Sequence, residues 1–133
     1  TKERQGSMGS QVLAVALGGA VGSVLRYLST LGMTRWFGTA FPSGTLLVNL
    51  LGCLLAGLLF GMAEERSLLP PLIRLLLLTG FLGGFTTFST FALETMTLVR
   101  DGSWAIALAS FLANSVGGLA LALAGIYLGR VVV

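Results

Sequence analysis

The sequence predicts an all-α membrane protein with four transmembrane helices per subunit and a break in the third. Two such subunits are expected to pair as an antiparallel, dual-topology homodimer. Three observations carry this prediction. The 133 residues are 55% hydrophobic and only 10% charged, with a mean hydropathy of +0.93, whereas a soluble domain carries about 25% charged residues. The apolar residues gather into four stretches, each near the ~20 residues that a spanning helix needs. The arginines at the two ends of those stretches are almost balanced between the two sides. A chain of this length fits one domain.

The composition also excludes whole classes of chemistry. There is no histidine, which removes imidazole metal sites and histidine acid-base catalysis. The single cysteine, Cys53, lies in an apolar run and reads as a small core residue, with no disulfide framework. The net charge of +3 comes from scattered arginines rather than a basic patch, so nucleic acid is not an expected partner. Residues 1–10, Thr-Lys-Glu-Arg-Gln-Gly-Ser-Met-Gly-Ser, read as an appended tail, leaving 11–133 as a single four-helix transmembrane domain. No cleavable signal peptide is expected, because the first apolar stretch has the length of a full span.

The first span is expected from Gln11 to Met33, the second from Gly44 to Met62, the third from Leu72 to Val99 and the fourth from Trp104 to Leu128. The connectors are short and punctuated by Pro42, by Pro70-Pro71 and by Arg100-Asp101-Gly102-Ser103. Short connectors predict an up-down-up-down bundle. Trp36, Trp104 and Tyr127 fall near span ends, where amphipathic rings favour the membrane-water interface. Gly18, Gly19 and Gly22, then Gly52 and Ala56, then Gly117, Gly118, Ala122 and Gly125 are small residues that let helix backbones approach closely. Such packing serves contacts within a subunit or between subunits.

Arg66, Arg74 and Arg130 belong to the side of the N-terminus, and Arg35 and Arg100 to the opposite side. So weak a positive-inside bias permits insertion in either orientation, which is the basis for the antiparallel pair. Four short spans also make a poor pore alone.

The functional signal lies in the third span, at Gly80-Phe81-Leu82-Gly83-Gly84-Phe85-Thr86-Thr87-Phe88-Ser89-Thr90-Phe91. Glycines and hydroxyls here invite a helix break, and irregular backbone at membrane depth is tolerated only where it lines a cavity or is buried in protein. A break frees carbonyls for a small hard cation, and a two-fold axis there doubles the ligand set. Beyond the break, Phe88 and Phe91 share a helix face, beside a polar face of Ser89, Thr90 and Glu94. Ring edges carry partial positive charge, so an anion is able to meet phenylalanine edges on one side and hydroxyl donors on the other. Asn49 in the second span offers amide donors without a fixed charge, or an interhelical hydrogen bond worth about 1 kcal/mol. Ser110 and Asn114, one turn apart, extend the polar row in the fourth span or hold the bundle together; Ser115 is adjacent. Arg26, about 20 Å along the first span, snorkels or draws anions into a vestibule.

These residues resemble the Fluc (CrcB) family of bacterial fluoride channels. The core Gly-Gly-x-Thr-Thr-Phe-Ser-Thr-Phe from Gly83 to Phe91 looks like that family's third-span signature. Gly44 to Gly52, around Val48-Asn49-Leu50, is similar to its second-span signature, and Gly18-Gly19 through Arg26-Tyr27 to its first. The resemblance implies an antiparallel dual-topology dimer with two fluoride pores and a structural Na+ on the two-fold axis. The Na+ ligands would be backbone carbonyls of Gly83 and Thr86 from both subunits. The pore phenylalanines would be Phe88 and Phe91, the pore amide Asn49, and the polar track would include Ser89, Thr90 and Glu94. The role would be passive fluoride export across the bacterial inner membrane, relieving toxicity. Where relatives carry a tyrosine and a serine one turn apart in the fourth span, this chain has Ser110 and Asn114.

The alternative is a small dual-topology, proton-coupled drug exporter, which needs a membrane-embedded carboxylate. The interiors of the first, second and fourth spans hold no Asp or Glu, leaving Glu94 as the one candidate. An enzyme is not expected: there is no histidine, acid pair or nucleophile elbow.

Overall fold

The computed structural model describes residues 6–66 and 68–133, apart from the side chains of Glu65 and Arg66. The first five residues of the expected tail and the Arg66 charge therefore lie outside the described residues. All regular structure among the described residues is helical. Helix α1 spans Met8–Phe37 and α2 spans Ser43–Arg66. The third span opens as α3, residues 71–85, which is α-helical over Pro71–Arg74, π-helical over Leu75–Leu82 and α-helical again over Gly83–Phe85. It resumes after a two-residue interruption as α4, Phe88–Arg100. The fourth span, α5, is Trp104–Val132, with a π-helical stretch at Ala113–Gly117. Among the described residues, four helical segments are long and apolar enough to cross a membrane.

Helix α1 starts inside the stretch set apart as a tail. Ser7 caps it, its hydroxyl accepting from the Ser10 N–H at 3.2 Å, so the helix is launched by a side-chain acceptor three residues ahead of Gln11. It ends at Gly38, whose φ of 75° suits a residue without a Cβ.

Two glycine zippers hold the bundle together. Gly18-x-x-x-Gly22 on α1 meets Gly80-x-x-x-Gly84 on α3. A Cβ at Gly18 would collide with the Leu76 carbonyl oxygen, one at Gly22 with that of Phe81, and one at Gly84 with that of Gly19. Gly57-x-x-x-Gly61 on α2 meets Gly125-x-x-x-Gly129 on α5 in the same manner, against the carbonyls of Ala122, Ile126, Leu54 and Leu58. In both pairs residue numbers rise together along the two partners, so each pair is parallel. Spans one and three run one way and spans two and four the other, which is the expected up-down-up-down order. Close backbone approach of this kind is what small residues provide in lipid, where no hydrophobic drive between helices exists. Gly18, Gly22 and Gly125 therefore pack within one subunit. Gly57, Gly61 and Gly129 complete the motifs, although their partners are not evident from sequence.

Outward faces remain apolar. Val12, Leu17, Val24, Leu119 and Leu123 are each more than half exposed. Trp36, Trp104 and Tyr127 are also exposed, near the ends of their helices as expected for interfacial rings.

Candidate functional site

The third span breaks at Thr86 and Thr87. Thr86 has φ −86° and ψ 158°, and Thr87 φ −150° and ψ 115°, both extended. Gly83 and Gly84 remain helical, as does Phe85; the break falls two residues beyond Gly84, where side chains replace the lost helical bonds. Thr86 Oγ1 donates to the Leu82 carbonyl at 2.9 Å. Thr87 Oγ1 accepts the Thr90 N–H at 3.2 Å and donates to Thr90 Oγ1 at 3.0 Å, making Thr87 the N-cap of α4. A Cβ at Gly52 would land on the Thr86 methyl, so glycine on α2 makes room for the break.

Asn49 sits directly opposite. Its Oδ1 accepts the Thr87 N–H at 2.8 Å, and its Nδ2 donates to the Thr87 carbonyl at 3.0 Å. The second proton of Nδ2 goes to Asn114 Oδ1 at 3.0 Å. Asn114 Nδ2 donates to the Ser110 carbonyl at 2.9 Å and lies 3.4 Å from Ser110 Oγ. Because a backbone N–H must donate, the orientation of the Asn49 amide follows from its partners. One polar chain, Thr87, Asn49, Asn114, Ser110, thus joins the third, second and fourth spans.

These bonds redistribute the carbonyls at the break. An unbroken helix would give the Gly83 carbonyl the Thr87 N–H and the Thr86 carbonyl the Thr90 N–H. Asn49 takes the first of those donors and the Thr87 hydroxyl takes the second. The Gly83 and Thr86 carbonyls expected to ligate a cation are among those whose helical donors are diverted at the break, so this chain fits the requirement for oxygen ligands. The neighbouring Gly84 carbonyl accepts from Arg26 Nε at 2.9 Å, which places the arginine against the end of the half-helix.

Asn49, Gly83, Thr86, Phe88, Phe91 and Asn114 line one groove of about 560 Å³, together with small residues such as Gly52 and Ala56. Phe88 and Phe91 meet edge to face with ring centroids 5.7 Å apart. Phe91 is buried at 7% exposure and stacks on Phe111, while Phe88 is 79% exposed. Glu94 lines a second cavity of about 440 Å³, with Thr30, Thr34, Ser43, Thr45 and Thr97. Glu94 Oε1 accepts from Thr45 Oγ1 at 2.9 Å, whereas Glu94 Oε2 and Ser43 Oγ are buried without a partner among the described residues. Ser110 is fully buried behind Asn114. Ser89 is exposed and, like Thr90, lines neither cavity.

Sequence reasoning missed Thr45, Phe111 and the specific part of Thr87. Thr45 lies one helical turn before Asn49, a spacing that puts both on one face. Thr87 precedes Thr90 by three, an N-cap spacing. Phe111 follows Ser110 and carried no signal of its own.

A broken spanning helix, with a polar chain and an aromatic pair at the break, defines a small multi-pass membrane protein built around its interrupted third span. A family model described as "CrcB-like protein, Camphor Resistance (CrcB)" matches residues 13–126. The chain is 48% identical over 121 residues to a protein of Maridesulfovibrio salexigens named fluoride-specific ion channel FluC, covering 91% of this chain and 96% of that one. Proteins of the same name from Magnetococcus marinus, at 46% identity (92% of this chain, 99% of that one), and Chloroflexus aurantiacus, at 47% (91% and 96%), are comparably similar. The chain belongs to the CrcB family. Its relatives are named as ion channels, not as enzymes.

Proposed function

We propose that this protein is a fluoride-selective channel that lets F⁻ leave the cell passively across the bacterial inner membrane, relieving fluoride toxicity. The observation that carries the reading is the single groove lined by Asn49, Phe88, Phe91 and Asn114 at the helix break, in a chain nearly half identical to proteins named as fluoride channels. Fluoride is small and strongly hydrated, and a pore must replace its water with fixed donors stepwise. Hydroxyls and phenylalanine edges supply partial positive charge without a full cation to trap the ion. The first-turn N–H groups of α4 add the positive end of a helix dipole. Glu94 continues the polar track in the second cavity, Ser89 and Thr90 precede it on the same helix, Ser110 supports Asn114 from behind, and Arg26 raises the local anion concentration at the vestibule.

The functional unit in this proposal is an antiparallel, dual-topology homodimer with two pores. The groove lies open along one flank of a single subunit, and the near balance of arginines on the two sides permits opposed insertion. A structural Na+ sits on the two-fold axis, held by the carbonyls of Gly83 and Thr86 from both subunits; one subunit alone offers too few oxygens for the shell.

Expression in a bacterium lacking its own fluoride exit route tests the function: growth in fluoride medium is the expected result, and unrelieved toxicity contradicts it. For the dimer, a C-terminal reporter is expected on both faces of the membrane, and detection on only one face rejects dual topology.

A further inference from the structure

Thr87 is a one-residue strand inside a membrane helix, and the Asn49 side chain is its partner. With φ −150° and ψ 115°, Thr87 presents its N–H and C=O to the same side, as a residue in an antiparallel ladder does. The Asn49 carboxamide has one acceptor and one donor in the same plane, and it meets both groups, at 2.8 and 3.0 Å. Both of its Nδ2 protons are then committed, because the remaining one goes to Asn114.

The geometry points to Asn49 as the positioning residue of the break, rather than primarily a ligand of the permeant anion. By holding the Thr87 N–H, Asn49 withholds it from the Gly83 carbonyl, so that carbonyl stays available as an oxygen ligand. Asn49 thereby couples the anion-facing side chains to the cation ligands, which line the same groove. Asn114 fixes the orientation of the carboxamide from the other side, and Ser110 fixes Asn114. The inference rests on the proposed Na+ ligands only for this coupling. The positioning itself depends on Thr87 alone.

Two readouts test it in detergent-purified protein. Amide hydrogen exchange at Thr87 is expected to be as slow as in the flanking helices, although Thr87 belongs to neither. The near-isosteric Asn49→Leu is expected to speed that exchange about tenfold or more, the loss of roughly one buried hydrogen bond. The Na+ concentration giving half-maximal thermal stabilisation is expected to rise about tenfold in Asn49→Leu and to stay unchanged in Phe88→Leu, which leaves every bond at Thr87 in place. Unchanged Thr87 exchange, or an unchanged Na+ midpoint in Asn49→Leu, overturns the inference. If Asn49→Leu does not fold, the wild-type pattern decides: exchange at Thr87 as fast as in the exposed Gly102 turn overturns it, and slow exchange supports it. Neither readout involves transport. A protein showing both shifts but passing no fluoride refutes the channel reading and leaves this inference standing.

Discussion

Arg26 Nε donates to the carbonyl of Gly84 at 2.9 Å, across 58 positions of chain. The bond caps the carbonyl end of α3 with a cation, where the helix dipole leaves partial negative charge. An arginine at this depth therefore serves the break as well as any anion nearby. A charged hydrogen bond contributes about 1.5–3 kcal/mol, so Arg26→Met is expected to destabilise the folded protein by about 2 kcal/mol. Thermal unfolding in detergent measures this, and a variant as stable as wild type contradicts the clamp.

Gly52 makes room for Thr86. A methyl added by Gly52→Ala lands on the Thr86 methyl, and overpacking of this kind costs about 1–3 kcal/mol. The double variant Gly52→Ala/Thr86→Ser removes the obstructing methyl while keeping the hydroxyl bond to Leu82. It is expected to recover most of the stability lost by Gly52→Ala. Failure to recover places the cause elsewhere.

The two phenylalanines are expected to respond differently. Phe91 is buried against Phe111, so Phe91→Ala costs about 3–5 kcal/mol of stability. Phe88 is mostly exposed to the groove, so Phe88→Leu is expected to suppress fluoride flux while leaving the unfolding temperature and the dimer intact. Equal loss of stability in both variants argues against a separate role for Phe88.

The ion pair between Arg130 and Glu64, at 2.9 Å, joins α2 and α5 at the C-terminal end of their zipper. Both side chains are 43% exposed, and pairs of this kind contribute about 0–1 kcal/mol. Glu64→Gln is expected to change stability by less than about 1 kcal/mol. Gly57→Leu in the zipper itself is expected to prevent stable assembly of the helix pair. A large effect at Glu64 with a small one at Gly57 reverses this order of importance.

Much of the architecture was legible in the sequence because lipid allows few solutions. Four apolar runs with short connectors leave little choice but an alternating bundle, and the Gly-Gly-x-Thr-Thr run announces its break. The glycines themselves stayed helical, with the α1 backbone pressed against Gly80 and Gly84. The interruption fell at Thr86 and Thr87, where hydroxyls cap the loose ends. The π-helical stretch Leu75–Leu82 left no trace, since a run of leucines has no polar phase from which to read a period. Gly18, Gly22 and Gly125 stood out as small residues, whereas Gly57, Gly61 and Gly129 did not. None of their partners was legible, because pairing span one with three and two with four is a property of the packed bundle. Asn49 stood out as a lone amide, but its bonds to Thr87 and Asn114 cross 38 and 65 positions and follow only from the fold.

In the proposed pore, donors gathered by one broken helix replace the hydration of a single small halide. Liposomes containing the purified protein, loaded with potassium fluoride or potassium chloride and opened to K+ with an ionophore, test it most directly. Rapid electrogenic fluoride release with chloride retained is the expected result. Comparable release of both halides, or release of neither, contradicts the account.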